Sequence, residues 1–183
     1  MQLKKHFTTK RLVLMALFVA LSYVIGFLEF PIFPATPYFK LDFANVFIML
    51  TGFLLGPVEG IIVCALKELL SLIDSSSGGA GEVANFLMAS AFILLPSIVY
   101  QFKKGFKVVA ATLAGACLLG TATALVVNRF IVFPLYMGEA APAVFHQVFW
   151  FAVAFNLIKT VAVSLVTVLL YKRLSVFLKK KNI

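Results

Sequence analysis

Apolar residues along this 183-residue chain gather into long blocks, and charges, prolines and glycines stand between the blocks. A helix that crosses a bilayer needs roughly 20 mainly apolar residues, so block length is the first signal to read. Residues 12–30, 83–101, 108–127 and 149–171 each have it. Residues 43–73 form a further block, too long for one helix and interrupted at Gly56-Pro57. Proline lacks an amide hydrogen and glycine tolerates a tight turn, which splits this block into two short or tilted spans, 43–55 and 58–73. Thr8 and Thr9 offer hydroxyl caps that would start the first helix a turn earlier. The expectation is an all-α membrane protein, one domain over residues 1–183, with six transmembrane helices.

Composition agrees. Hydrophobic residues make up 62% of the chain, charged residues 13%, and the mean hydropathy is +1.05, which leaves too little polar surface for a water-soluble domain. The blocks are too long and numerous for a cleaved signal peptide, and no small-residue cleavage site follows the first short apolar run. Cys64 and Cys117 lie inside apolar blocks, far apart and without metal-ligand spacing, so they read as small core residues with no disulfide and no metal.

Charge sets orientation, because Lys and Arg concentrate on the cytoplasmic side. Lys4, Lys5, Lys10 and Arg11 precede the first span, Lys103, Lys104 and Lys107 follow the fourth, and Lys172, Arg173, Lys179, Lys180 and Lys181 follow the sixth. Six spans put all three clusters on one face, with both termini in the cytoplasm, whereas five would divide them. The net charge of +9 is thus chiefly a topology signal with some attraction to anionic lipid. Nothing in it supplies a folded, base-reading surface for nucleic acid.

Lys40, Lys67, Arg129 and Lys159 stand outside the clusters. Lys67 adjoins Glu68, but helical neighbours point about 100° apart, so the two are not expected to face each other. Lys67 either snorkels to the outer surface or joins a site. Lys159 lies about ten residues inside its block, roughly 15 Å by helical rise, beyond the reach of its side chain to water. It needs a wet cavity or a partner. Asn156 is one turn earlier on the same face, and the pair offers an amide donor, an amide acceptor and an ammonium, which suits a polar heteroaromatic ligand rich in carbonyls and ring nitrogens. The structural alternative is that Asn156 bonds a neighbouring helix and Lys159 pairs with Glu68 or Glu82. Asn128 and Asn85 add amides near the outer ends of two other spans, the mark of an outward-opening cavity.

Two loops bear on such a cavity. Residues 75–81, Ser-Ser-Ser-Gly-Gly-Ala-Gly, end at Glu82, where a helix can start, and are either a solvated linker or a close approach to ligand. They are not a phosphate-binding Walker loop, which requires Lys then Ser or Thr where this chain has Glu82-Val83. Residues 30–39 carry three prolines and several aromatics, as an interfacial belt or a lid. There is no ATP-hydrolysis motif, and neither His6 nor His146 lies mid-span as a proton relay would require.

Several segments, in this order, resemble the riboflavin-binding S components of energy-coupling factor vitamin transporters. They are Phe39-Lys40-Leu41-Asp42-Phe43; Gly52 to Gly56-Pro57 with Gly60; Gly78-Gly79-Ala80-Gly81-Glu82-Val83-Ala84-Asn85-Phe86; Asn128 with Pro134-Leu135-Tyr136; and Phe155-Asn156-Leu157-Ile158-Lys159. The resemblance implies a subunit, not an enzyme, that captures riboflavin as a transported ligand, with no cofactor, in the plasma membrane of a prokaryote. Its implied partners are a transmembrane coupling protein, the T component, and two ABC ATPase subunits. It further implies that Asn156, Lys159 and Asn128 bond the flavin ring, that Gly78, Gly79 and Glu29 lie on the ligand, and that small residues four apart on the first helix, Ala16 and Ala20, dock on the coupling protein. Other members of that family bind other vitamins on the same scaffold. A solitary ion-coupled vitamin transporter is the alternative, though the chain shows no doubled half with matched broken helices. An intramembrane enzyme would need paired acids, a His-acid set or a metal cluster, and Glu68 and Glu82 are the sole plausible acids, with no His beside them.

Overall fold

A computed structural model describes residues 8–75 and 77–180, the last stretch by backbone alone at residue 172 and residues 174–180. Lys4, Lys5, His6, Ser76 and Lys181 lie outside the described residues. Every apolar block is helical: α1 Thr9–Gly26, α2 Ala44–Leu54, α3 Pro57–Ser71, α4 Ala80–Phe102, α5 Phe106–Val127, the short α6 Phe133–Met137, and α7 Ala141–Lys180. A two-stranded hairpin joins α1 to α2, with β1 Phe30–Pro31 antiparallel to β2 Lys40–Leu41 and Phe30 opposite Leu41. The proline-rich loop is therefore folded back on itself.

The turn at Gly56-Pro57 falls where expected. Gly56 has φ +132° and ψ 166°, a backbone state open essentially to glycine alone, and Pro57 opens α3 with a φ suited to a helix start. A Cβ on Gly60 would meet the Gly52 backbone at 3.2 Å, so these two glycines let α2 and α3 pack backbone to backbone. Between α5 and α6 the helix widens into a π-turn over Asn128–Val132, and at Gly138, φ +53°, the chain reverses. α7 then packs back along α5, and α5 along α4, while α1 closes against α2 and α3. The main core, including Met15, Phe18, Met49, Phe92, Ile93, Leu113 and Val163, runs between these helices. A second cluster of Phe39, Leu41, Phe133, Phe145, Ala152 and Phe155 lies under the hairpin.

Among the described residues, three helical stretches are long and apolar enough to cross a membrane: Thr9–Gly26, Ala80–Phe102 and Phe106–Tyr171. The third is 66 residues long and folds back at Gly138, so its two arms, α5 and α7, lie side by side. α2 and α3, at 11 and 15 residues, are shorter than a full crossing. Two further expectations need correction. α7 begins at Ala141, eight residues before the apolar block at 149, because Ala-Pro-Ala-Val sustains a helix start as well as an apolar block does. His146 is consequently an exposed helical residue. α4 begins at Ala80 rather than Glu82, because the Gly81 amide finds the Ser77 hydroxyl at 3.0 Å.

A polar cavity in an apolar bundle

The C-terminal end of α1, the hairpin, and α3, α4, α5 and α7 surround a cavity of about 630 Å³, a size typical of small-molecule sites. Its deep wall is built on α7. Asn156 and Lys159, one turn apart, are 3% exposed each and both line the cavity. Asn156 donates one amide hydrogen to the Ala152 carbonyl of its own helix at 2.8 Å, leaving its oxygen and second hydrogen for other partners. Lys159 Nζ meets Asp42 Oδ2 at 2.8 Å and Asn85 Oδ1 at 3.5 Å. Its partner is thus neither Glu68 nor Glu82. Asp42 comes from the stretch between hairpin and α2, 117 residues away, and its other oxygen accepts the Ala44 amide at 2.9 Å.

Lys67 and Glu68 of α3 also line the cavity and pair with each other at 3.0 Å, each side chain under a tenth exposed. This corrects the expectation that sequence neighbours do not face one another: their Cβ atoms diverge, but two long side chains converge when neither has water to turn to. Lys67 does not snorkel outward. It reaches toward α1, where Gly26 leaves room, since a Cβ there would stand 3.6 Å from Lys67 Cε.

Aromatic rings complete the interior. Phe39 of the hairpin loop and Phe155 of α7 stack with centroids 5.0 Å apart and 15° between planes, and both line the cavity. Tyr38 stands edge-on to Phe39 and Phe133, and partial burial raises its phenol above the ordinary range, so it remains a hydrogen-bond donor at neutral pH. Toward the hairpin end the wall becomes polar and wetter. Glu29 and Lys40 pair at 2.6 Å with side chains about two-fifths exposed, Tyr23 donates to Asp74 at 2.7 Å, and Ser77 to Glu82 at 2.6 Å. Tyr136 reaches across from α6 to the Ser77 carbonyl at 2.6 Å.

Of the residues expected at a site, Asn156, Lys159, Asn128, Asn85 and Glu29 line this one cavity. Gly78 and Gly79 do not line it, whereas their neighbours Ser77 and Gly81 do. Both glycines have positive φ, +58° and +97°, and shape the loop. Around them the Ser75 hydroxyl accepts the Ser77 and Gly79 amides at 3.2 and 3.1 Å. Ala16 and Ala20 are exposed, on the side of α1 away from buried Met15, Phe18 and Val19. Cys64 and Cys117 are buried free thiols. Asp42, Tyr23, Tyr38 and Tyr136 were not singled out as site residues by sequence reasoning; Asp42 carried a signal, as an acid beside Lys40 at the edge of an apolar block.

A cavity walled by buried amides, an ion-paired ammonium and stacked aromatics, set in a bundle of apolar helices, is the architecture of a membrane protein with a cavity of small-molecule size. The chain belongs to the substrate-specific components of ECF transporters, whose family model, "ECF transporter, substrate-specific component", matches residues 10–171. It is similar to "Riboflavin transporter RibU" of Staphylococcus aureus, 35% identical over 176 residues that cover 93% of each chain. It is similar also to "Riboflavin transporter FmnP" of Bacillus subtilis, 30% identical over 187 residues, 94% of this chain and 96% of that one. A solved structure described as the S component of a bacterial ECF transporter superposes with a TM-score of 0.81 at 35% identity, covering 93% of this chain and 98% of the other. As a member of this family of prokaryotic membrane transporters, the chain is not an enzyme.

Proposed function

We propose that this chain is the riboflavin-binding subunit of an ECF-type transporter. The observation that carries it is the face formed by Asn156 and Lys159, with Asn128 and Asn85 on the same cavity and Phe39 and Phe155 beside them. A flavin ring is flat, has an apolar dimethylbenzene edge, and presents two carbonyls, ring nitrogens and an imide N–H along its other edge. Aromatic faces suit its plane, and amides that donate and accept suit its polar edge. The Lys159 ammonium is a donor only, fit for a carbonyl. The hydroxylated side chain of the ligand finds its counterparts among Glu29, Asp74, Ser77 and Glu82 nearer the mouth.

The same proposal extends to topology and partners. The chain is a single domain that crosses the plasma membrane in multiple passes, six in all with the short α2 and α3 crossing as a pair where the bilayer thins around them, with both termini in the cytoplasm and the cavity facing out. The basic residues Lys10, Arg11, Lys103, Lys104 and Lys107 flank helix ends opposite the cavity, as cytoplasmic positive charge requires. No motif for ATP hydrolysis is present in the sequence, so energy comes from a transmembrane T component and two ABC ATPase subunits, docked through the exposed Ala16 and Ala20 of α1. Riboflavin uptake into vesicles bearing this chain tests the coupling: uptake that requires the T component and hydrolysing ATPases supports it, and concentrative uptake by the chain alone on an ion gradient contradicts it.

A further inference from the structure

Lys159 carries its charge into the cavity wall with its side chain 4% exposed. Its short contact is the Asp42 carboxylate, which is itself held by the first amide of α2. Asp42 is therefore fixed by a helix end, and it fixes the ammonium in turn. Beside this pair stands the second, Lys67 with Glu68. Each buried ammonium at the deep end of the cavity has one carboxylate, so that end is neutral. A neutral wall of donors suits a neutral ligand, because a buried charge without an opposite is expensive.

We infer that Asp42 is a positioning and specificity residue: by balancing Lys159 it makes the ammonium a donor to an uncharged carbonyl, and without it the site selects the anionic form of the same ring. This rests on the flavin reading above. The imide N–H of a flavin lies between two carbonyls; in alkali it gives its proton to solvent, and the negative charge spreads over the two oxygens that would face Lys159. With Asp42 in place, such an anion confronts a carboxylate as well as an ammonium. With Asp42 neutralised, the anion takes Asp42's place as the nearest counter-charge of the ammonium, ahead of Glu68, which pairs with Lys67.

The other charged or titratable groups that line the cavity are Lys67 and Glu68 from α3, Asp74 from the turn after it, Glu82 from α4, Tyr23 from α1, Glu29, Tyr38 and Lys40 from the hairpin region, and Tyr136 from α6. All are shared by wild type and variant, so a difference between them reports Asp42. Asp42→Asn is the suitable change, since an amide oxygen can still accept the Ala44 hydrogen while the charge is lost.

The test is an absorbance titration, from neutral to alkaline pH, of riboflavin bound at saturation to purified wild type and Asp42→Asn. The expected result is that the bound flavin ionises at least about one pH unit lower in the variant, a tenfold change in the imide acidity, while the neutral form binds about tenfold or more weakly. Lys159→Met should move ionisation the other way, since Asp42 then repels the anion alone. If Asp42→Asn does not fold, Lys159→Met is compared with the double variant Asp42→Asn/Lys159→Met, which has neither charge and should ionise its flavin at lower pH than Lys159→Met. Weaker binding with unmoved ionisation would mean that Asp42 only supports the fold, and would overturn the inference. Wild type that binds no riboflavin would overturn the flavin reading and the inference with it; wild type that binds while the variants ionise alike would overturn the inference alone.

Discussion

Lys159 and Asp42, 117 residues apart, meet at 2.8 Å inside the wall of the cavity. This pair joins the last long helix to the start of α2 and sets a donor where a ligand carbonyl can reach it. Truncating Lys159 to Ala removes that donor and leaves Asp42 without its cation. Hydrogen bonds to charged groups contribute about 1.5–3 kcal/mol, so riboflavin affinity should fall roughly 10- to 100-fold, measured by fluorescence quenching of the free flavin. Unchanged affinity would remove Lys159 from the site.

Asn156→Ala should weaken binding less, by about 1 kcal/mol or a few-fold, because a neutral amide is lost and its bond to Ala152 is internal to α7. Both variants should reach the membrane in wild-type amounts, although Lys159→Ala, which strands buried Asp42, should have a lower thermal midpoint than Asn156→Ala. Loss of yield along with binding would make these residues structural rather than ligand contacts.

At the other end of α1, Arg11 Nη1 lies 2.6 Å from Glu59 Oε1, and the Glu59 side chain is 2% exposed. Arg11 is about 18 Å from cavity-lining Tyr23 along the helix. Arg11→Met should therefore lower the thermal midpoint in detergent by several degrees, through loss of a buried-pair partner, with riboflavin affinity within twofold of wild type. An affinity change as large as that of Lys159→Ala would contradict this separation of stability from binding.

Gly56→Ala places a Cβ where φ is +132° and where it would stand 2.7 Å from Glu59 Oε2. The strain should cost about 1–3 kcal/mol of stability, read as a lower thermal midpoint. An unaffected midpoint would mean that the α2–α3 turn relaxes freely.

Ala16→Trp adds bulk to the exposed side of α1 and nothing to the cavity. Co-purification with the T component and ATPases should be lost while riboflavin binding by the isolated chain persists. An intact complex would move the docking surface elsewhere on the bundle.

The helices were legible because each apolar block is bounded by charge or by Gly-Pro, and Gly56-Pro57 in particular carries its turn in its own chemistry. Lys159 and Asn156 were legible because an ammonium and an amide one turn apart in an apolar block demand an explanation. The identity of the partner was not, since a contact across 117 residues leaves no local pattern, and Glu68 and Glu82 were equally available acids. The Lys67–Glu68 contact was missed because the direction of a Cβ says little about where a long side chain ends when burial removes its alternatives. Ala141–Val148 falls outside the apolar block because His146 and Gln147 interrupt it, yet it opens α7, packed on Phe133 through Phe145. The hairpin has two-residue strands, too short for an alternating pattern to announce.

The measurement that bears most directly on the central claim is a visible absorption spectrum of the protein purified in detergent from cells supplied with riboflavin, followed by mass spectrometry of the small molecule it releases on denaturation. A flavin spectrum at one equivalent per chain, with riboflavin as the released species, is the predicted result. A colourless protein that also binds no added riboflavin would contradict it and assign the cavity to another ligand.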